Sequence, residues 1–346
     1  MASIVVEVTK QCNNRCSHCY NFWRGDGSRK TFPPGLRRRE ISTLVGRVLQ
    51  DILIDQIALS GGEPLLRPDL AGITNDLADM GLRVVVITNG TLLDESHLEQ
   101  FPPGCTFEVT IFSADATLHD RIAGRPVFQP LLNNLARLDR RGFNLVLVCV
   151  VTSLNAHDVT RTIKLGIALG ACAVMINRIN ISRNVFRRGK HLVPSLSQLR
   201  EGLRAADEAS SKYGITVLVS VPVPPCLADP KEYPHLHFGW CPRGGENAYY
   251  TIGCNGRLRP CNHSSVELGD LAKQKFAEII NSNKAKHFWE QVPDACEKCN
   301  HPLKDECRGG CPAAADECYG TRVRIDPFVE LAQLAELGPP HVPLAR

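Results

Sequence analysis

Three cysteines near the start of the chain have a spacing that suits metal chemistry. Cys12, Cys16 and Cys19 lie in the segment KQCNNRCSHCY, just after the strand-like stretch Ile4–Thr9 and just before an aromatic residue, Tyr20. Three thiolates can hold three irons of a 4Fe–4S cluster and leave the fourth iron open to another ligand. Because Cys-x2-Cys is also a frequent zinc spacing, a zinc knuckle is the alternative interpretation of this triad.

A second group of residues follows a predicted buried strand, Gln56–Leu59. This strand leads into Gly61, Gly62, Glu63 and Pro64. Paired glycines let the backbone approach a ligand closely, and the carboxylate of Glu63 can pair with an ammonium group. An ordinary turn between a strand and a helix is the alternative for this tetrapeptide taken alone.

Two further strand-like runs also end in polar residues. Val84–Ile87 precedes Asn89, and Phe107–Phe112 precedes Ser113 and Asp115. Ser113 and Asp115 are equally good candidates to cap the next helix.

In order and spacing, these residues resemble the signature of radical S-adenosylmethionine (SAM) enzymes. The resemblance implies that Cys12, Cys16 and Cys19 bind a SAM-binding 4Fe–4S cluster and that Glu63 contacts the amino group of SAM. The segment His119–Phe128 matches the part of the family that carries a SAM-binding arginine, but the usual position holds Ala123, so Arg121 and Arg125 both remain candidates. The SAM contacts implied in this way are Tyr20, Gly61, Gly62, Glu63, Asn89, Ser113, Asp115 and Arg125.

Strand-like and helical stretches alternate over the first two thirds of the chain. Leu145–Val151 and Ala173–Ile176 are strand-like, and Pro130–Arg141 and Asp158–Leu169 are helical. Such alternation indicates parallel βαβ units. We therefore predict an α/β protein with a partial (β/α)6 TIM-like barrel over residues 1–222, whose chemistry gathers at the C-terminal ends of the strands.

The chain has 15 cysteines in 346 residues, and the C-terminal part holds a dense array of them. Its pattern is Cys-x14-Gly-x4-Cys, then Cys-x2-Cys-x7-Cys-x3-Cys, then a last Cys. This array resembles the SPASM extension of radical SAM enzymes, which binds two auxiliary iron–sulfur clusters, although seven residues stand where the family usually has five. We predict a small SPASM domain over residues 223–325 and a C-terminal helix and tail over 326–346, with the helix at Val329–Leu337.

The same resemblance divides the cysteines between the clusters. It gives Cys241, Cys261 and Cys311 to auxiliary cluster I and Cys296, Cys299, Cys307 and Cys318 to auxiliary cluster II. The eighth ligand stays open. Cys254 is the first candidate, for cluster I, but it stands beside Asn255-Gly256, a strong hairpin signal; Cys226 is a weaker one. Cys105, Cys149 and Cys172 are expected to be small core residues.

Other accounts of so many cysteines fit less well. A disulfide framework suits short secreted chains, and no secretory signal or apolar run near ~20 residues is visible. We therefore expect a cytoplasmic protein with reduced thiols. The net charge of +4 is mild and its basic residues are scattered, so neither nucleic-acid nor membrane binding is expected.

The resemblance also implies an activity. A radical SAM enzyme cleaves SAM reductively to a 5′-deoxyadenosyl radical, which abstracts a substrate hydrogen, and it needs an external electron donor of the flavodoxin or ferredoxin type. The leading hypothesis is modification of a ribosomally made peptide by a thioether or carbon–carbon cross-link. Because the predicted barrel begins at residue 4, we expect a peptide substrate to be recognised directly or through a separate protein. The alternatives are oxidation or dehydration of a small molecule such as an amino sugar and, least favoured, electron transfer alone.

One position argues against a particular peptide reaction. Sulfatase-maturating relatives carry an Asp base where this chain has Asn262, directly after Cys261. An amide cannot accept a proton, and loss of a positioned base costs ~10²–10⁴-fold in rate. His263 would point to the opposite face if this segment were a strand, so we expect no formylglycine formation.

Overall fold

The computed structural model describes residues 3–24, 32–242 and 244–337. Its strands are β1 (Ser3–Thr9), β2 (Gln56–Gly61), β3 (Arg83–Thr88), β4 (Thr106–Thr110), β5 (Asn144–Val151), β6 (Ala173–Arg178), β7 (Thr216–Val219), β8 (Leu236–Phe238), β9 (Tyr249–Ile252), β10 (Arg257–Arg259) and β11 (Gly269–Asp270).

The helices lie between and after these strands. They are α1 (Arg38–Asp51), α2 (Leu70–Asp79), α3 (Glu95–Leu98), α4 (Ala116–Ala123), α5 (Phe128–Arg140), α6 (Val159–Ala168), α7 (Arg183–Arg188), α8 (Leu196–Tyr213), α9 (Phe276–Ile280), α10 (Asn283–Glu290), α11 (Asp294–Glu297), α12 (Lys304–Cys307), α13 (Pro312–Tyr319) and α14 (Pro327–Glu336).

All the described strands join one sheet in the order β11-β10-β9-β1-β2-β3-β4-β5-β6-β7-β8. The strands from β1 to β8 run parallel in chain order, and β9 pairs in parallel with the outer edge of β1. β10 and β11 continue the sheet by antiparallel pairing. The predicted partial α/β barrel is confirmed, and β7, β8 and β9 extend the parallel pairing beyond the six strands expected.

The sheet runs through the predicted domain boundary at residues 222 and 223. This boundary falls between β7 and β8, and strands from both sides of it pair with the barrel strands. Two buried ion pairs also join the two parts: Arg178 with Asp326, and Glu7 with Arg259. The cysteine-rich part is therefore built onto both edges of the barrel sheet.

Alternation along the strands sorts side chains between the core and the barrel interior. In β4, Phe107 and Val109 are fully buried in the main hydrophobic core, while Glu108 and Thr110 face the opposite side and line an internal cavity. The amphipathic helix α1 covers the outside of the sheet with Ile41, among other apolar residues. The barrel interior thus receives polar side chains such as these beside apolar ones, for example Val148 and Met175.

The C-terminal helix predicted at Val329–Leu337 is confirmed as α14, which buries Phe328 and Val329 against the body. Residues 338–346 of the predicted tail lie outside the described residues. Cys105 and Cys149 are buried as expected, but the prediction for Cys172 is wrong because it precedes β6 in a turn and is exposed. None of the described helices is long and apolar enough to cross a lipid bilayer.

Candidate active site

The cysteine triad lies in a loop that follows β1 and is clamped by the end of α4. The backbone N–H groups of Arg15 and Ser17 donate to the carbonyls of Ala123 and Ile122, at 3.0 and 3.3 Å. Gly124 ends α4 with φ +72°, and a Cβ there would lie 2.5 Å from the carbonyl oxygen of Arg15. A glycine at this position therefore lets the helix end hold the triad loop in place.

The three triad thiols line one cavity of about 610 Å³ at the barrel mouth. Burial raises the pKa of all three thiols, and the guanidinium of Arg24 opposes this shift. Arg24 is itself fixed by a 2.7 Å hydrogen bond to the carbonyl of Asn14. Because a cluster needs thiolates, this half-buried cation favours the ligand form of the cysteines.

The paired glycines, Gly61 and Gly62, let the turn after β2 pack closely against the segment that leads into the triad. A Cβ on Gly61 would lie 2.1 Å from the carbonyl oxygen of Thr9, and one on Gly62 would lie 2.0 Å from that of Gln11. The N–H groups of Gly62 and Glu63 donate to these two carbonyls at 2.7 Å. The close approach predicted for these glycines therefore joins the turn after β2 to the segment that enters the triad.

The carboxylate of Glu63 lies inside the cavity and is held by three donors. These are the hydroxyl of Thr88 at 2.6 Å and the backbone N–H groups of Asn89 and Leu65 at 2.8 and 3.1 Å. Burial raises the pKa of Glu63 to about 7 in spite of these bonds. A bound ammonium group would stabilise the charged form at this position.

Asn89 lies beside Glu63 and also lines the cavity. Its side-chain amide donates to Asn13 at 2.8 Å and accepts from Thr91 at 2.6 Å. The ends of β1, β2 and β3 thus bring the triad, Glu63 and Asn89 together, as the strand pattern predicts.

Three of the predicted SAM contacts lie elsewhere. Ser113 is fully buried and bonds Asp158, and Asp115 caps α4 by accepting from the N–H of Leu118 at 2.8 Å. Arg125 is exposed and donates to the carbonyl of Asn13 at 2.6 Å. None of these three residues lines the cavity. They contact residues around the site instead, and Asp115 has the helix-capping role that was the alternative predicted for it.

A second set of thiols faces the same cavity from the cysteine-rich part. Cys241, Cys261 and Cys311 line it together with Tyr20, Tyr249 and the triad. Burial raises the pKa of Cys311, and the neighbouring Cys261 and Cys241 raise it further. Within the described ranges no three His, Cys, Asp or Glu side chains converge closely enough to hold a single metal ion. Both sets of thiols line the same cavity.

Cys254 does not join this second set. It sits in the hairpin between β9 and β10, which turns at Gly256 with φ +76°. Its thiol donates to the carbonyl of Glu7 at 3.1 Å and does not line the cavity. The hairpin predicted from Asn255-Gly256 is therefore present, and it holds the Cys254 thiol outside the cavity.

The expected orientation of His263 is wrong. Asn262 and His263 follow β10 in a turn rather than a strand, so both line the cavity. The amide of Asn262 donates to the hydroxyl of Tyr20 at 2.7 Å, and Nδ1 of His263 lies 3.8 Å from the sulfur of Cys311. Burial lowers the pKa of His263 to about 4, which keeps its ring neutral.

Several cavity residues were not found from the sequence. They are Asn14, His18, Arg24, Glu108, Asn177, Arg178 and Tyr249. Glu108 is the most informative, because its carboxylate has no hydrogen-bond or ion-pair partner among the described residues, and burial raises its pKa to about 7. A charged residue between the two apolar residues of the strand TFEVT was the available signal.

Comparisons with known proteins agree with this arrangement. Residues 6–166 match the radical SAM superfamily, and residues 241–308 match the SPASM iron–sulfur cluster-binding domain. The chain therefore carries a radical SAM domain followed by a SPASM domain. It is an enzyme of the radical SAM/SPASM type, and iron–sulfur ligation accounts for its clustered cysteines better than a zinc knuckle or a disulfide framework.

Curated relatives and solved structures resemble nearly the whole chain. The PqqA peptide cyclase of Bradyrhizobium diazoefficiens is 23% identical over 96% of this chain and 87% of that protein. The AdoMet-dependent heme synthase of Methanosarcina barkeri is 27% identical over 94% and 95%.

Among solved structures, Streptococcus suis SuiB bound to S-adenosylmethionine has a TM-score of 0.73 at 14% identity, over 94% of this chain and 76% of that one. Native anSMEcpe with bound AdoMet and the Cp18Cys peptide has a TM-score of 0.71 at 16% identity, over 97% and 96%. These structural likenesses show the shared fold.

Proposed function

We propose that this enzyme uses SAM radical chemistry to modify a peptide, forming a cross-link such as a thioether or a carbon–carbon bond. The observation that carries the proposal is that the triad and Cys241, Cys261 and Cys311 line the same cavity of about 610 Å³. A substrate held in this cavity would lie near both sets of thiols. An electron carrier needs neither this enclosed space nor Glu63 within it.

The residues present fit the groups that this chemistry needs. Three buried thiols beside Arg24 suit a 4Fe–4S cluster with an open iron, and the carboxylate of Glu63 suits the ammonium group of SAM. When bound, the triad cluster and SAM supply a carbon radical that removes a substrate hydrogen, and an auxiliary cluster supplies an electron acceptor. We propose three 4Fe–4S clusters in all.

The remaining polar residues of the cavity are assigned to the substrate. Glu108 has no partner among the described residues and is available to exchange a proton with a substrate or to bind a cationic group on it. The Asn262–Tyr20 hydrogen bond joins two residues that line the cavity, one from each part of the chain. With an amide at position 262, we keep the prediction that sulfatase-type peptides are not converted to formylglycine.

Peptide chemistry is favoured by relatives named as PqqA peptide cyclases, which match 94–96% of this chain. We propose direct peptide recognition or a separate recognition protein, an external donor of the flavodoxin or ferredoxin type, and a cytoplasmic location, where clusters and thiols stay reduced. Heme synthesis from a heme precursor is the second candidate, since a relative of that name is 27% identical over 94% of the chain.

Mass spectrometry of candidate substrates tests the proposal. The reconstituted enzyme is incubated with SAM, a reductant and peptides encoded by short open reading frames beside its gene, with heme precursors and amino sugars in parallel. A loss of two hydrogens from one peptide, absent in the Glu63→Ala enzyme, is the expected result. Unaltered peptides together with a modified heme precursor or sugar would contradict it.

A further inference from the structure

A cysteine outside the SPASM array lies in a turn between β7 and β8. Cys226 follows Pro224-Pro225, and the N–H of Leu227 closes the turn by donating to the carbonyl of Pro224 at 2.8 Å. The structure leaves Cys226 exposed on one side. It is not in a strand or a helix, so packing of the barrel core does not account for its position.

Both ends of this turn contact the loop that carries the C-terminal cysteines. A Cβ added to Gly310 would lie 3.2 Å from Cγ of Pro224, before Cys226 in the chain. After it, a carboxylate oxygen of Asp229 lies 3.5 Å from Nε2 of His301, which is two residues beyond Cys299. These two contacts hold Cys226 against the segment between Cys299 and Gly310.

The surroundings of the Cys226 thiol are other thiols of that segment. Cys307 and Cys299 both lie close enough to the Cys226 thiol to interact with it electrostatically. Cys296 belongs to the same place, since a Cβ on Gly309 would lie 3.2 Å from its sulfur. The thiols of Cys226, Cys296, Cys299 and Cys307 therefore lie in one region. The last three belong to α11, the loop after it and α12.

Cys318, the residue that the family resemblance gives to this cluster, has different neighbours. Its sulfur lies 3.6 Å from the carbonyl oxygen of Ile181, and the charged groups that influence it are Asp326, Glu317 and Arg183. No cysteine is among them.

The backbone between Cys307 and α13 explains this separation. Arg308, Gly309 and Gly310 all have positive φ, from 43° to 87°, which reverses the chain direction directly after Cys307. Cys311 then starts α13, and Cys318 lies two helical turns farther along. Cys318 on α13 instead faces the segment between β6 and α7, where the carbonyl of Ile181 lies.

We infer that Cys226 joins Cys296, Cys299 and Cys307 as the fourth ligand of auxiliary cluster II, and that Cys318 does not bind this cluster. The inference rests on the proposed function for the presence of the cluster. Four thiolates fill all four irons of a cubane. This cluster would then be closed to substrate, which leaves substrate contact to the set that lines the cavity.

Ligand substitution in the full chain tests this assignment. Cys226→Ala, Cys318→Ala and Cys307→Ala are each made in the Cys12/Cys16/Cys19→Ala background, which removes the signals of the triad cluster. Each protein is reconstituted anaerobically with iron and sulfide and reduced. Iron per chain and the electron paramagnetic resonance (EPR) spectrum are measured, with circular dichroism as the check on folding. Cys172→Ala is the matched control for loss of an exposed thiol.

We expect Cys226→Ala to match Cys307→Ala, with loss of up to about four irons or a changed signal from one auxiliary cluster. Cys318→Ala and Cys172→Ala should match their parent. A Cys318→Ala protein that behaves like Cys307→Ala, or a Cys226→Ala protein with the parent's iron and spectrum, would overturn the assignment. A parent that takes up no iron would instead contradict the auxiliary clusters of the proposed function.

Discussion

The barrel and the cysteine-rich part position their functional residues in different ways. In the barrel, the triad, Glu63 and Asn89 each follow a strand of six or seven residues, and parallel pairing brings the strand ends together. In the cysteine-rich part, β9, β10 and β11 have only four, three and two residues, and turns decide where each thiol goes. Strand order locates a site reliably, whereas turn geometry can send neighbouring cysteines apart.

Cys254 and Cys261 illustrate the second case. They are seven residues apart, but the hairpin at Gly256 directs the first thiol to the carbonyl of Glu7 and leaves the second in the cavity. The following experiments test this contrast between the two parts.

The largest effect is expected at the triad. A Cys12/Cys16/Cys19→Ala protein should lose all reductive cleavage of SAM and about a third of the iron of a chain with three cubanes. The reason is that the triad thiols share the cavity with Glu63, whose charge acts on Cys12. Production of 5′-deoxyadenosine and iron per chain are measured after anaerobic reconstitution. Continued cleavage by this protein would show that the triad is not the SAM-binding centre.

The next effect concerns the ion pair that joins the two parts. Arg178→Met leaves the carboxylate of Asp326 buried and unpaired, and both side chains of this pair are 0% exposed. Removal of one partner of a buried pair costs about 3–5 kcal/mol. Urea unfolding measures the loss.

The exposed pair Arg83–Asp55 supplies the control, since its side chains are 69% and 49% exposed. Arg83→Met should change the free energy of unfolding by less than ~1 kcal/mol. Equal effects of the two substitutions would mean that the buried pair does not hold the parts together.

A smaller loss of stability is expected at the glycine turn. A Cβ at Gly62 would meet the carbonyl of Gln11 at 2.0 Å, so Gly62→Ala should cost about 1–3 kcal/mol and disturb the triad loop. Gly46→Ala in α1 meets nothing within 4 Å and should stabilise the helix by about 0.5–1 kcal/mol. If urea unfolding shows the same change for both, the close approach at Gly62 is not a constraint on the triad loop.

These outcomes bear on what the sequence can reveal. The barrel, the triad, Glu63 and Asn89 were predictable because strand alternation and motif order fix which residues meet at the strand ends. Asn262 and His263 were not, since the sequence does not distinguish a turn from a short strand after β10. The place of Cys226 depends on contacts of Pro224 and Asp229 with residues about 70–85 positions away, which no local pattern encodes.

A pH-dependent effect is expected for Glu108. Its folded-state pKa of about 7 lies above the ordinary value of 4.5 because the carboxyl is buried. The folded state therefore binds more protons than the unfolded state between these values, and stability falls as the pH rises through this window.

Glu108→Gln removes this loss of folding stability at high pH. The free energy of unfolding of the variant, relative to that of the unsubstituted chain, should therefore increase from pH 5 to pH 8. Glu63 has a similar pKa, but it titrates in both proteins and cancels in the difference. Thermal melts over this pH range measure the difference. A constant difference would mean that Glu108 is charged throughout and has a partner in solution.

The smallest effect is expected at Cys254. Its thiol makes one hydrogen bond, to the carbonyl of Glu7, so Cys254→Ala should cost about 1 kcal/mol or less and leave the spectra of all clusters unchanged. EPR of the reduced protein is the measurement. A changed auxiliary signal would return Cys254 to the ligands of auxiliary cluster I and weaken the contrast drawn above.

Transfer of deuterium from substrate to 5′-deoxyadenosine tests the central claim most directly, namely that SAM and a peptide meet in the cavity between the two thiol sets. Once a modified peptide has been found, it is synthesised with deuterium at the modified residue and incubated with reconstituted enzyme, SAM and reductant. We predict 5′-deoxyadenosine one mass unit heavier, formed in step with the modified peptide. Modified peptide accompanied only by unlabelled 5′-deoxyadenosine would contradict the claim.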